Sequence, residues 1–258
     1  MNPLSLFDVS GRSALVTGAT GAFGQAAARA LAAAGAHVTL AAGNTERLEA
    51  LGAELGGAVE LVNRRPGEEG DAEAMVAAAV KAFGGLDLVV CASGMNKVSP
   101  IVDFDVADWD AVMDANVRGS WLVCRAAGRQ MIPAERGGKV VLVSSTRGKL
   151  GHPAGYTAYC PSKAAVDLLT RTLACEWGPH GINVNAIAPT VFRSDLTAWM
   201  YEEEGRGKAV REAMLARIPL GRLGEPDDFV GTLLYFLSRA SDFCTGQVLY
   251  VDGGYTAG

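Results

Sequence analysis

Short apolar segments alternate with longer helical segments along most of this 258-residue chain, and this alternation restricts the fold more than any other feature. Each apolar run is bounded by glycine or polar residues and has the length of a strand buried on both faces. The Ala- and Leu-rich stretches between them have helical spacing. The predicted strands are 13–17, 37–41, 59–63, 86–91, 139–144, 182–188 and 247–251, and the predicted helices are 22–34, 45–55, 71–83, 108–131, 156–177 and 226–237.

Strict alternation of strands and helices predicts a parallel sheet with helices on both faces. Seven strands rather than eight, with a glycine-rich turn after the first, favour an open doubly wound α/β sheet over a closed barrel. Asp71 is predicted to cap the helix that begins near Ala72. Residues 190–225 break the pattern, because a long irregular segment follows the sixth strand.

The composition limits the classes of partner. Nearly half of the residues are apolar, a fifth are charged, and the net charge is −5, which argues against disorder and against a nucleic-acid-binding surface. No apolar run is long enough to span a membrane, and the five cysteines form no CxxC pair that would suggest zinc. We therefore expect a soluble cytoplasmic protein without a bound metal, whose partners are small molecules or further copies of itself.

The glycine-rich turn TGATGAFG, residues 17–24, follows the first predicted strand and leads directly into a helix. Gly18, Gly21 and Gly24 allow the backbone to approach a pyrophosphate, whose charge the helix N-terminal N–H groups would meet. A glycine-rich turn can also serve only to connect a strand to a helix. Its place in the first strand–turn–helix unit favours a dinucleotide site.

Tyr159 and Lys163 lie four residues apart in the run YCPSK, so a helix places both side chains on one face. Taken alone, such a pair is weak evidence of a site. A nearby ammonium favours the phenolate and would lower the pKa of Tyr159, allowing the phenol to act as an acid in reduction and as a base in oxidation. Pro161 lies between the two and lacks an N–H, so it is predicted in the first turn of the helix.

Six motifs occur in the order of a known family: the glycine-rich turn, NVRG (116–119), VSS (143–145), YCPSK (159–163), NVNAIAPT (183–190) and VDGG (251–254). On these motifs the chain resembles the short-chain dehydrogenase/reductase family over nearly its whole length, and within it the sugar-acid and 3-oxoacyl reductase branch. The resemblance implies a single NAD(P)-binding Rossmann domain, residues 1–258. It also implies interconversion of a secondary alcohol and a ketone by hydride transfer.

The resemblance implies a role for each of four residues. Tyr159 would be the general acid or base, and Lys163 would tune it and hold the nicotinamide ribose. Ser145 would donate a hydrogen bond to the substrate oxygen, with Ser144 as the competing candidate. Asn116 would link Lys163 to solvent through a proton relay. The alternative for Asn116 is a helix side chain that only satisfies backbone groups.

The same resemblance implies a cofactor site and shows where this chain departs from the family. The family's middle glycine is replaced by Ala22. Neither an Asp nor an Arg follows the second strand, so the cofactor is expected to be NAD or NADP, with a preference for NADP because the carboxylate is missing. Arg47, Arg64 or Arg65 would supply a cation for NADP, unless these side chains are simply solvated. The predicted cofactor-binding residues are Gly18, Thr20, Gly21, Ala22, Phe23, Gly24, Gly43, Asn44, Gly94, Tyr159, Lys163, Pro189, Val191 and Ser194.

Residues 190–225 match the family's substrate lid. Within the lid, 199–201 would cover an apolar substrate or belong to the core. Arg147, Lys149 and Arg193 would favour an acidic substrate or form ordinary surface charge. A homo-oligomer, dimer or tetramer, is expected through helices 108–131 and 156–177. Two other hypotheses are a nucleotide-sensing protein without catalysis, and a dehydratase or epimerase built on related residues.

Overall fold

The computed structural model describes residues 2–258, except for the side chains of residues 195 and 196. Seven parallel strands form one sheet in the order β3-β2-β1-β4-β5-β6-β7. The order in which the strands are added reverses at β1, which pairs with β2 on one side and with β4 on the other. The predicted doubly wound sheet is confirmed. The strands are β1 Ser13–Thr17, β2 His37–Ala41, β3 Val59–Val62, β4 Leu88–Cys91, β5 Gly138–Val143, β6 Ile182–Pro189 and β7 Val248–Val251.

The helices cover both faces of this sheet. One apolar cluster joins the sheet to α1, α2 and α8, and a second joins it to α3, α5 and α6. β1, β4 and β5 are buried throughout, whereas the outer strands β3 and β7 are only partly buried, because each has a neighbour on one side alone. The helices are α1 Ala22–Ala33, α2 Thr45–Leu55, α3 Glu69–Phe83, α4 Val106–Met113, α5 Gly119–Ala134, α6 Tyr159–Trp177, α7 Gly205–Leu215 and α8 Pro226–Leu237.

Several helix boundaries differ from the sequence prediction; α6, for example, begins at Tyr159 rather than at residue 156. The N-cap of α3 is Glu68, and Asp71 is the third helical residue, where its carboxylate accepts the N–H of Glu68 at 3.3 Å. The prediction of Asp71 as the cap was therefore wrong, because Asp71 belongs to a reciprocal capping box. The single helix predicted over 108–131 is α4 and α5 joined by a π-helical turn, Asp114–Arg118. In α6, Pro161 does lie in the first turn.

Residues 190–225 leave the sheet after β6 and return to it before α8. The base of this excursion is closed by backbone hydrogen bonds from Arg193 N to the Gly224 carbonyl (2.8 Å) and from Gly224 N to the Val191 carbonyl (3.0 Å). Its apolar side chains form a cluster of their own around Met200 and the C-terminal Tyr255. Met200 is thus a core residue of the excursion. Nowhere in residues 2–258 is a helix both long and apolar enough to cross a membrane.

Candidate active site

The N-terminal half of α6 places Tyr159 and Lys163 on the same side of the helix, as predicted. The Lys163 ammonium lies 5.7 Å from the centroid of the Tyr159 ring. The Lys163 side chain is 4 % exposed, and its Nζ donates to the Val143 carbonyl at 2.8 Å. The end of β5 therefore fixes the lysine beside the tyrosine.

The electrostatics of the pair differ from the sequence prediction. Burial raises the pKa of Tyr159 above its ordinary value, and the hydroxyl of Ser145 and the charge of Arg147 offset this effect only in part. Burial also lowers the pKa of Lys163, to about 8, against the opposing charge of Asp167. The predicted lowering of the Tyr159 pKa by Lys163 was wrong for this structure, because desolvation dominates both groups.

The two serines at the end of β5 have different partners. Ser145 faces Tyr159, and its Oγ also accepts the N–H of Arg147 at 3.2 Å. Ser144 donates a short hydrogen bond to the carboxylate of Asp167. The structure therefore brings Ser145, and not Ser144, to the tyrosine.

Asn116 lies in the π-helical turn and is fully buried. Its Oδ1 accepts the N–H of Met95 at 2.8 Å, and its Nδ2 donates to the Met95 carbonyl and to Ser162 Oγ, each at 2.9 Å. A Cβ added to Gly94 would lie 3.0 Å from Asn116 Oδ1 and 3.6 Å from Lys163 Nζ. Asn116 thus joins the loop after β4 to α6 close to Lys163, and its part in a proton relay remains a prediction.

The glycine-rich turn forms a cradle that side chains would fill. Gly18 has a φ of +64°, and a Cβ there would come within 2.6 Å of the backbone of Ala92. A Cβ on Gly24 would lie 2.1 Å from the Gly18 carbonyl oxygen. Gly21, the N-cap of α1, leaves the N-terminal N–H groups without a side-chain cap. Ala22, which replaces the family's middle glycine, is the first residue of α1. This cradle fits the pyrophosphate of a dinucleotide, which supplies the charge that the helix N-terminus favours.

Four further predicted cofactor residues have these places in the structure, and the side chains of two of them, Phe23 and Ser194, already have partners. The Thr20 carbonyl accepts Gln25 Nε2 at 2.9 Å. Phe23 packs its ring against two others, with centroids 5.2 and 5.0 Å away, and so anchors α1. Pro189 ends β6. The Ser194 hydroxyl lies 3.1 Å from Thr197 Oγ1.

The segments that follow β2 and β3 come together at Gly43. Asn44 caps α2 by accepting the N–H of Arg47 at 2.9 Å. The side chain of Arg65, which follows β3, lies across Gly43, where an added Cβ would be 2.4 Å from Arg65 Nε. Arg64 instead pairs with Asp71 at 2.6 Å. Of the two neighbouring arginines, Arg65 is the one that lies over the end of β2.

Sequence reasoning missed two residues: Tyr255, which contacts Arg147, and Arg217, which contacts the ring of Tyr255. Tyr255 is buried beneath the excursion, and its hydroxyl accepts from Arg147 Nη2 at 3.0 Å. The guanidinium of Arg217, which follows α7, lies 4.4 Å from the centroid of the same ring. The final motif VDGG precedes Tyr255 and was the only signal that pointed to this end of the chain. Within residues 2–258 no group of three His, Cys, Asp or Glu side chains is arranged to hold a metal ion.

Comparison with known proteins identifies the family. A family model described as enoyl-(acyl carrier protein) reductase matches residues 18–256. The chain belongs to the short-chain dehydrogenase/reductase family. An uncharacterized oxidoreductase of Mycobacterium tuberculosis is 60 % identical over 98 % of this chain and 94 % of the relative. A gluconate 5-dehydrogenase of Gluconobacter oxydans and a galactitol 2-dehydrogenase (L-tagatose-forming) of Cereibacter sphaeroides are each 36 % identical over 99 % of both chains.

Solved structures agree with this short-chain dehydrogenase/reductase assignment. A short-chain type dehydrogenase/reductase from Mycobacterium marinum is 34 % identical, with a TM-score of 0.92 over 99 % of both chains. A gluconate 5-dehydrogenase from Burkholderia cenocepacia, in complex with NADP and tartrate, is 31 % identical with a TM-score of 0.91 over 99 % of both chains. The chain is therefore an NAD(P)-dependent oxidoreductase that acts on alcohol and ketone groups. The hypothesis of a nucleotide sensor without catalysis is not supported.

Proposed function

We propose that this enzyme interconverts a secondary alcohol and a ketone with NADP(H), using Tyr159, Ser145, Lys163 and Asn116. The convergence of Tyr159, Ser145 and Lys163 beside the glycine cradle is the observation that carries the proposal. The bound nicotinamide supplies or accepts the hydride. The site lies at the carboxyl ends of β1, β4 and β5, where open parallel sheets bind their ligands.

Side chains of the protein transfer the proton and stabilise the negative charge on the substrate oxygen. Tyr159 donates its phenolic proton to the carbonyl oxygen during reduction and removes it from the alcohol during oxidation. Ser145 donates a hydrogen bond to the same oxygen as negative charge develops there. Lys163, fixed beside the ring by the Val143 carbonyl, would hold the nicotinamide ribose, and Asn116 would hold the backbone around Gly94 in place for proton exchange.

The test of this mechanism is Tyr159→Phe, which keeps the ring and removes the transferable proton. Turnover should fall by about 10²- to 10⁴-fold, the usual contribution of general acid–base catalysis. NADPH affinity, measured by fluorescence titration, should change little. Tyr235→Phe, on the distant helix α8, is the matched control. Wild-type turnover by Tyr159→Phe on any substrate found would exclude this mechanism.

We propose NADP rather than NAD because Arg65 lies over Gly43 and no carboxylate stands directly at the end of β2, where Ala42, Gly43 and Asn44 follow. Its guanidinium suits the 2′-phosphate of NADP, which charge-assisted hydrogen bonds would hold. Arg65→Met should weaken NADPH binding by about tenfold or more and leave NADH binding nearly unchanged. Arg29→Met, on the outer surface of α1, controls for loss of a positive charge. Equal affinity of the wild-type enzyme for NADH and NADPH would contradict the preference.

The remaining features extend the same proposal. Residues 1–258 would form one NAD(P)-binding domain in which residues 190–225 act as the substrate lid. The half-buried or exposed thiols among the five cysteines are compatible with a reducing cytoplasm. The exposed faces of α5 and α6 would join copies of the chain into a dimer or tetramer.

A further inference from the structure

Two guanidinium groups share one buried tyrosine ring beside the proposed active site. Tyr255 is 1 % exposed. The guanidinium carbons of Arg217 and Arg147 lie 4.4 and 5.5 Å from its ring centroid. Arg147 also donates to the Tyr255 hydroxyl at 3.0 Å and to the Gly151 carbonyl at 3.1 Å. Three distant segments, the turn after β5, the end of α7 and the C-terminus, thus converge to concentrate positive charge.

No carboxylate balances this charge within the described part of the chain. Neither Arg147 nor Arg217 is in an ion pair there, whereas most other arginines of the protein are paired, among them Arg193 with Glu225 at 3.1 Å. Two like charges brought to one ring repel each other. Cation–π contacts and neutral acceptors hold the guanidiniums in place without neutralising them. An anion bound between them would therefore be stabilised.

The charge lies within electrostatic reach of the catalytic tyrosine. The backbone N–H of Arg147 donates to Ser145 Oγ at 3.2 Å. Burial and, after it, the charges of Arg147 and Arg217 lower the pKa of His152, whose ring centroid lies 4.3 Å from that of Tyr156. The ring of Tyr156 in turn lies 6.0 Å from that of Tyr159. An anionic group held by the two arginines would lie close to the oxygen that Tyr159 and Ser145 act on.

We propose that Arg147 and Arg217 form a carboxylate subsite, so that the substrate is a hydroxy acid or the corresponding keto acid. This inference rests on the proposed function, since it assigns the substrate class of the same site. The guanidinium fork of arginine matches a carboxylate with two parallel hydrogen bonds, and Arg147 uses only two of its five N–H donors within the protein. Arg217 belongs to the excursion, so a bound acid would also hold that segment over the site.

The relatives frame the choice of probe. One of them is named for gluconate, which carries a carboxylate, and another for galactitol, a neutral polyol of similar length. A subsite of two unpaired arginines predicts higher kcat/KM with gluconate than with galactitol. Without such a subsite, the enzyme would not be expected to favour gluconate over galactitol.

The experiment has a binding arm and a kinetic arm. Calorimetric titration of tartrate into the wild-type enzyme saturated with NADP should show binding that weakens with added salt. Arg147→Met and Arg217→Met should each weaken tartrate binding at least about tenfold, the loss expected for a charge-assisted hydrogen bond. Arg147→Lys, which keeps the charge but not the fork, should recover part of the affinity. Lys208→Met, an exposed cation on α7, should stay within about twofold of wild type.

The outcomes separate this inference from the proposed function. If the enzyme oxidises galactitol in preference to gluconate, or if tartrate binds the two Met variants as tightly as the wild type, the carboxylate subsite is excluded. Hydride transfer dependent on Tyr159 would then still stand. Loss of tartrate binding in the Met variants, with unchanged melting temperature and NADPH affinity, supports the subsite even before the natural substrate is identified.

Discussion

Ser144 and Ser145, at the end of β5, are adjacent in the chain but have different roles. Side chains alternate direction along a strand, so Ser144 and Ser145 leave β5 on opposite sides. Ser145 meets Tyr159, while Ser144 meets Asp167, whose burial raises the pKa of its carboxyl group. Ser145 is therefore placed to act on the reacting oxygen, whereas Ser144 binds α6 through Asp167.

Ser145→Ala should lower turnover by about 10²- to 10³-fold, because it removes a hydrogen-bond donor to the developing oxyanion. The same hydroxyl lowers the pKa of Tyr159, so its loss should raise that pKa further. Oxidation requires the phenolate, and the alkaline rise of the pH–rate profile for oxidation should therefore move to higher pH. Ser144→Ala is the control: it should lower the melting temperature and leave the profile in place. A shift of equal size in both variants would contradict the assignment.

At the scale of single elements, the start of α8 is fixed by a reciprocal capping box, in which Glu225 is the N-cap and Asp228 is the third helical residue. Asp228 accepts the N–H of Glu225 at 2.8 Å and pairs with both terminal nitrogens of Arg222, at 2.6 and 2.7 Å. The Arg222 hydrogen bonds lower the pKa of Asp228 to about 2. A carboxyl group whose pKa is lowered on folding stabilises the native state above its unfolded pKa of about 4. That stabilisation is lost as the pH falls from about 4 towards 2.

Asp228→Asn should lower the free energy of unfolding at pH 7 by about 1 kcal/mol, the usual effect of losing a capping interaction at a helix N-terminus. The difference from wild type should shrink as the pH falls below 4, because the wild-type carboxyl group then becomes neutral as well. Urea titrations between pH 7 and pH 3 measure both effects. Asp227→Asn, an exposed neighbour in the same first turn, controls for the helix dipole. A constant difference across this range would show that charge is not the cause.

For the whole molecule, α5 and α6 present an apolar face away from the sheet. A cavity of about 350 Å³ opens between them, lined in part by Trp121, Leu173 and Trp177. Trp121 is 47 % exposed, and Leu168 on α6 is 62 % exposed. Exposed apolar patches of this kind mark contact surfaces between proteins.

We expect light scattering at micromolar concentration to show a dimer or tetramer. Trp121→Glu and Leu168→Glu should each reduce the mass at least by half, because a charge is costly to bury in an apolar interface. Leu4→Glu, at the exposed N-terminus, should keep the wild-type mass. A monomeric wild-type protein would rule out this interface.

Some features of the fold could be predicted because their signals are local. The strands and most helices follow from periodic apolar residues, and Pro161 had to lie in the first turn of its helix. The helix boundaries that were predicted wrongly depend on competition between neighbouring polar groups. Asp71 resembles a cap in sequence, but Glu68 takes that position and Asp71 completes the reciprocal pair. The π-helical turn around Asn116 left no periodic signal, since it inserts a single residue into an otherwise helical pattern.

The sequence by itself determined the parallel sheet, the glycine cradle and the spacing of Tyr159 and Lys163, because each is set by residues adjacent in the chain. Only the tertiary structure decided which serine faces the tyrosine and which arginine lies over Gly43. Only the tertiary structure joined Arg147 to Tyr255. These pairings link side chains that are remote in sequence or point to different sides, and packing rather than local pattern brings them together. The same burial reversed the expected pKa shift of Tyr159, since desolvation depends on the whole fold.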